Sequence, residues 1–126
     1  MSRYYTRTHE WVTLGDESIA TVGITDYAQQ QLGDVVFVEL PRTGRQLEAG
    51  DAFGTIESVK SASDLISPVA GVVVEVNAAI ADSPEAVNED PFGEGWLVKI
   101  RLNGDLGDTL LDEQGYQAEV QSLESH

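Results

Sequence analysis

Four stretches of the chain carry strand-like patterns of apolar and polar positions. Residues 18–24 are rich in β-forming side chains. Residues 35–40 form a β-branched run closed by Pro41, which cannot continue a central strand. Residues 72–76 form a third run, ended by Asn77. Residues 96–102 alternate apolar and polar, which predicts one face in the core and one in water. A short helix is predicted after the first strand. Thr25 or Asp26 can cap it, residues 27–32 carry it, and Gly33 ends it. The segment 105–122 places Leu106, Leu110, Leu111 and Tyr116 at roughly helical spacing, and Gly107 and Gly115 predict two short helices instead of one. Many short strands with regular turn signals predict a mostly-β single domain over residues 1–126, a small barrel or sandwich.

Composition narrows the range of functions. A chain of 126 residues, 41% hydrophobic and 23% charged, is ordinary for one globular domain. No apolar run approaches the ~20 residues of a membrane helix. The opening Met1-Ser2-Arg3-Tyr4-Tyr5 lacks the apolar stretch of a secretory signal, so a cytoplasmic location is expected. Seven basic residues stand against twenty-two acidic ones, a net charge of −15. Phosphate backbones and anionic membranes would be repelled, which argues against nucleic-acid and membrane partners. The same charge suits either simple solubility or steering toward basic patches on partner proteins. There is no cysteine, so thiol chemistry, disulfides and zinc–thiolate sites are excluded, and any redox role needs a cofactor. Two isolated histidines, His9 and His126, are too few for a metal site.

The chain has two lysines. Lys99 belongs to the alternating strand and reads as a solvent-facing strand residue. Lys60 lies between two strand-like pieces of similar length, with Ser58, Ser61, Ala62 and Ser63 crowded around it. If residues 52–69 pair as a hairpin, Lys60 stands near its tip, open to a modifying enzyme. Val59-Lys60 is not a favoured two-residue turn, which would want Asn-Gly or Asp-Gly. Local physics therefore leaves open that Lys60 is only a solvated loop residue. Trp11 and Trp96 read as core or near-core packing. Gly33, Gly44, Gly50 and Gly71 read as positive-φ or tight-turn positions.

Four blocks in order carry a family resemblance. They are His9-Glu10-Trp11-Val12; Gly23-Ile24-Thr25-Asp26-Tyr27-Ala28 with residues 32–41; residues 57–64 with Ser67-Pro68-Val69 and Gly71; and Asn88-Glu89-Asp90-Pro91 with Gly93-Glu94-Gly95-Trp96. Through nearly its whole length the chain resembles the H proteins of the glycine cleavage system, which are lipoyl carriers. The resemblance implies a barrel-sandwich hybrid of two small antiparallel sheets, as in lipoyl and biotinyl carriers. It implies lipoic acid in amide linkage to Lys60, and recognition of the hairpin by lipoylating enzymes through Glu57. In such proteins the arm takes an aminomethyl group from glycine at a pyridoxal-phosphate decarboxylase, the P protein. It passes the carbon to tetrahydrofolate at an aminomethyltransferase, the T protein, and is reoxidised by dihydrolipoamide dehydrogenase, the L protein. The carrier itself is not an enzyme. It supplies a tethered substrate at high effective concentration.

The resemblance also implies a cleft that shelters the loaded arm, with Glu10, Gln31 and Asp64 at matching positions. Glu10 and Asp64 suit pairing with a protonated amine. At Gln31 some relatives have histidine, and glutamine cannot change charge near neutral pH. A purely structural relative that has lost its arm is one alternative, against which the intact segment 57–62 speaks, and three others remain. One is a lipoyl relay that hands lipoate to 2-oxoacid dehydrogenase subunits. Another is a different lipoyl or biotinyl carrier domain, although biotinyl hairpins flank their lysine with methionines and the one methionine here is Met1. The third is an enzyme using Glu10 and Asp64 as an acid/base pair.

Overall fold

The structure, a computed structural model, describes residues 3–104 and 110–124. Among these residues the chain forms β1 (Arg3–Tyr5), β2 (Glu10–Leu14), a 3-10 turn (Asp16–Ser18), β3 (Ile19–Ile24), α1 (Asp26–Leu32), β4 (Val35–Glu39), β5 (Gln46–Leu47), β6 (Ala52–Ser58), β7 (Ala62–Ile66), β8 (Gly71–Val76), α2 (Ala78–Asp82), α3 (Ala86–Glu89), β9 (Val98–Leu102) and α4 (Glu113–Glu124). The strands make two sheets that do not close on each other. One has six strands in the order β1-β2-β3-β9-β8-β5, and the other three in the order β4-β6-β7. The pairings are antiparallel. This is the mostly-β, two-sheet architecture the sequence predicts.

One apolar core joins the sheets. Val22, Val73 and Ile100 of the large sheet share it with Val38, Ile56 and Leu65 of the small one. The alternation in β9 works as expected: Val98, Ile100 and Leu102 are buried, while Arg101 is exposed. Lys99 lies on the outer face, 3.9 Å from a Glu75 carboxylate oxygen and over the Trp96 ring. In α1 the choice of cap falls on Thr25, whose hydroxyl accepts from the Ala28 N–H, and Gly33 ends the helix at φ 80°.

Several local expectations are corrected. Gly71 has neither a positive φ nor a turn role. It is the first residue of β8, where an added Cβ would overlap the Arg101 carbonyl on β9. The segment after Asn77 forms two short helices that no strong periodicity announced. Asn77 caps α2 through the Ala79 N–H, and its Nδ2 donates to the carbonyls of Glu94 and Trp96. These helices seal the core with Ile80 and Val87. At the C-terminal end, Leu106 and Gly107 lie outside the described residues. Among those described, one helix runs through Gly115, because Gly115 sits in its first turn and donates to Asp112 Oδ1 at 2.7 Å. Leu111 precedes the helix, in a two-way backbone bridge with Tyr5.

Candidate functional site

Lys60 stands in the turn between β6 and β7. The ladder pairs Glu57 with Ala62, and Ser58 N–H donates to the Ser61 carbonyl at 2.8 Å. No glycine or asparagine supplies the turn. Instead the Ser58 hydroxyl oxygen accepts from the N–H groups of Lys60 and Ser61, at 3.3 and 3.1 Å. A serine side chain thus does what Asn-Gly would have done, which explains how an unfavoured pair sits at a hairpin tip. Val59 N–H reaches outside the hairpin to the Asp34 carbonyl at 3.0 Å, tying the tip to the α1–β4 corner. Asn88 of α3 holds that corner. Its Oδ1 accepts from Val35 N–H at 2.8 Å, and its Nδ2 donates to the Gly33 carbonyl and to Gln29. The Lys60 stem crosses Gly33 so closely that an added Cβ there would lie 2.9 Å from Cε. Lys60 itself is exposed.

Beside the tip opens a cleft of about 240 Å³. Its walls include Glu10, Gln31 and Asp64, together with Ser61 and Ser63, and Ile24, Leu32, Ile56 and Leu65 form its apolar lining. The fold thus brings three residues from distant parts of the chain to one concavity, and the residue after Lys60 is in its wall. Glu57 lies apart, exposed on the outer face of β6 opposite Phe37.

Glu10, Gln31 and Asp64 are held differently. Gln31 and Asp64 are exposed, whereas Glu10 is 3% exposed. The Thr6 hydroxyl donates to Glu10 Oε1 at 2.7 Å, the Thr8 hydroxyl donates to the same oxygen, and Ile66 N–H approaches Oε2 at 3.4 Å. Burial pushes the Glu10 carboxyl above its ordinary range, and the bonds from Thr8, Thr6 and the backbone pull the other way. Thr6 and Thr8 stand four and two positions before Glu10, but nothing local shows that all three turn toward one point. Behind Glu10, His9 adopts φ 70° and presents Nδ1 to the Tyr116 hydroxyl at 2.9 Å. Thr25 Oγ1 meets the same hydroxyl at 2.7 Å. Burial pulls the His9 imidazole below its ordinary value, opposed by Glu119, and pushes the Tyr116 phenol up to about 12. Tyr116 also stacks on Tyr5 at 4.7 Å, so α4 clamps the segment that carries Glu10.

Comparison with known proteins decides the family. The model of the family described as "Glycine cleavage H-protein" matches residues 3–123. The chain belongs to this family. It is 64% identical over 99 residues to the glycine cleavage system H protein of Rubrobacter xylanophilus, covering 79% of this chain and 78% of the relative. It is 55% identical over 122 residues to that of Thermus thermophilus, covering 95% and 94%. The crystal structure of a glycine cleavage system H protein from Mycobacterium marinum superposes with a TM-score of 0.88 at 39% identity, covering 95% of this chain and 97% of that one. Against this family frame, the motif at Asn88 acquires a structural meaning: it braces the corner on which the lysine tip leans. Trp11 donates through its indole N–H to the Pro91 carbonyl in the same segment, at 2.9 Å. No group of histidines and carboxylates among the described residues could hold a metal ion. No helix among them is long and apolar enough to cross a membrane.

Proposed function

We infer that this chain is the lipoyl carrier of the glycine cleavage system, with the cofactor in amide linkage to Lys60 Nζ. The observation that carries the reading is the joining of an exposed lysine, in a serine-braced hairpin tip, to a cleft that starts at the next residue. The tip suits the group: the neighbouring serines leave the lysine unobstructed, and the apolar lining beside it accepts a hydrocarbon arm. Lipoate held on Lys60 would supply a reducible disulfide as the carrier of the one-carbon aminomethyl unit between the decarboxylase, the tetrahydrofolate-dependent transferase and dihydrolipoamide dehydrogenase.

The chain's own residues bind, orient and exclude water. Ile24, Leu32, Ile56 and Leu65 keep water from the cleft wall. Glu10, already held by two hydroxyls, accepts a hydrogen bond from a cargo amine and balances its charge. Asp64 adds a second, wetter carboxylate, and Gln31 donates or accepts at the mouth without titrating. Glu57, outside the cleft, serves the enzyme that attaches the cofactor. None of these residues accelerates a chemical step; the carrier is non-catalytic and works, in the cytoplasm, by presenting its arm to the P, T and L proteins in turn. Incubation with lipoate, ATP and a lipoate ligase, followed by intact-mass and fragment analysis, tests the reading. A lipoyl increment on Lys60 is expected. An unmodified chain, or an increment elsewhere, overturns it.

A further inference from the structure

The surface around the lysine is unusual for so acidic a chain. Among the described residues, four large apolar side chains stand open to solvent: Val36 at 53%, Phe37 at 51%, Val59 at 68% and Leu123 at 42%. The first three gather at the hairpin. Phe37 lies opposite Glu57 and Val35 opposite Ser58, with a bulge between them at Val36. Val59 bonds to the carbonyl of Asp34, two residues before Val36. The bulge has a direct consequence. In a regular strand, side chains alternate faces, and one of Val36 and Phe37 would turn inward. The extra residue lets both face out while Val35 and Val38 stay in the core. Exposed apolar clusters of this kind mark contact sites on soluble proteins.

The charges around the cluster are one-sided. Asp34, Glu39 and Glu57 are exposed beside it, and Lys60 is the one basic residue of the hairpin. A complementary face is therefore apolar at its centre and basic at its rim. Proximity chooses among partners. An enzyme that acts on the far end of the arm is not obliged to touch the tip. The enzyme that attaches the arm must bring its reacting carbon to Lys60 Nζ itself. In that step an acyl adenylate donates its acyl group: the C–N bond forms, the acyl carbon–phosphate oxygen bond breaks, AMP leaves with the electron pair, and the lysine ammonium gives up two protons.

We propose that Val36, Phe37 and Val59, rimmed by Asp34 and Glu57, form the docking surface for the lipoate-attaching enzyme, whose matching face is apolar with a basic border. The proposal rests on Lys60 as the attachment site. The test uses the full chain, unmodified, and a variant carrying Val36→Thr, Phe37→Thr and Val59→Thr, which keeps β-forming side chains in the ladder. Calorimetric titration with a lipoate ligase holding a non-hydrolysable lipoyl-adenylate mimic should show Kd at least tenfold higher for the variant. KM for attachment should rise in parallel, with kcat within twofold. Leu123→Thr, which removes the exposed apolar side chain on α4, should change neither. Raising the salt concentration should weaken wild-type binding. A variant Kd within twofold of wild type overturns the docking surface. So does unchanged attachment accompanied by a higher KM for dihydrolipoamide dehydrogenase on the pre-loaded variant, which would assign the patch to an arm-using partner. If the triple variant does not fold, Val59→Ser, outside the ladders, carries the same test: a rise of threefold or more is expected, and no rise overturns the surface. Should wild type itself gain no lipoyl group on Lys60, the carrier reading falls. Should wild type be modified and the variant bind equally well, only the docking surface falls.

Discussion

The hairpin tip with Lys60 and the segment with Glu10 border the same concavity but are built by opposite means. The tip is closed by groups within four residues, Ser58 to Ser61, with one outside bond, from Val59 N–H to the Asp34 carbonyl. Glu10 is gripped by Thr6, Thr8 and a backbone N–H 56 positions away, and the histidine before it is fastened to Tyr116, 107 positions away. The tip is wet, so a charged or acylated side chain stands there at little cost. Glu10 is dry, so its charge carries a desolvation penalty that only a bonded partner relieves. On the function proposed above, the two serve a carrier in different ways: Lys60 as an attachment point that tolerates any state of the arm, Glu10 as an anchor that favours one state.

The contrast can be tested by substitution, starting with the largest effect. Lys60→Arg should abolish the lipoyl mass increment and carrier activity outright while leaving the thermal midpoint unchanged, because arginine keeps an exposed cationic side chain with a similar stem over Gly33; a lowered midpoint would show that the tip is not independent of the core. Glu10→Ala should speed ammonia loss from the loaded carrier by about ten-fold or more, as expected for one charge-assisted hydrogen bond in a dry site. Asp64→Ala, in the wet wall, should change it only a few-fold; equal effects would erase the distinction between the two carboxylates. Tyr116→Phe keeps the stacking on Tyr5 but removes the bonds to His9 and Thr25. It should cost about 1–2 kcal/mol in denaturant unfolding and raise ammonia loss, with lipoylation of the tip unaffected. Ser58→Ala should cost about 1 kcal/mol or less and mainly raise hydrogen exchange at the amides of Lys60 and Ser61.

The smallest effect concerns pH. Glu10 has a folded pKa above its unfolded one, so the folded state holds its proton more tightly. Its stabilising contribution is full below the unfolded value and is lost as pH rises through the folded value. Relative to Glu10→Gln, wild type should therefore gain stability as pH falls from neutral toward 4, read as the difference of the two melting curves. A difference that stays flat or runs the other way would mean Glu10 is less desolvated than the fold implies.

Much of the fold was legible in particular residues. Thr25 and Gly33 bracket α1 as their side chains predict, and the alternation of 98–102 gives β9 its two faces. The run at 35–38 is apolar throughout, yet Val36 and Phe37 face water, because a bulge is a property of the pairing with β6 and not of β4 alone. Gly71 is needed for the closeness of Arg101, thirty positions on, so no turn signal could explain it. Among the described residues, the helix that runs through Gly115 was obscured by that glycine, whose cost in a helix interior does not apply to a first-turn position whose N–H is bonded to Asp112.

The sequence by itself determined β3, β4, β8, β9 and the first helix, and singled out Lys60 as the candidate lysine, because propensity, capping and a local motif act over a few residues. Only the tertiary structure decided that Glu10, Gln31 and Asp64 share a cleft, that Glu10 alone among them is buried, and that Asn88 and Tyr116 brace the two sides. Those outcomes depend on which chain segments exclude water from one another, and desolvation and long-range hydrogen bonding exist only once the segments have met.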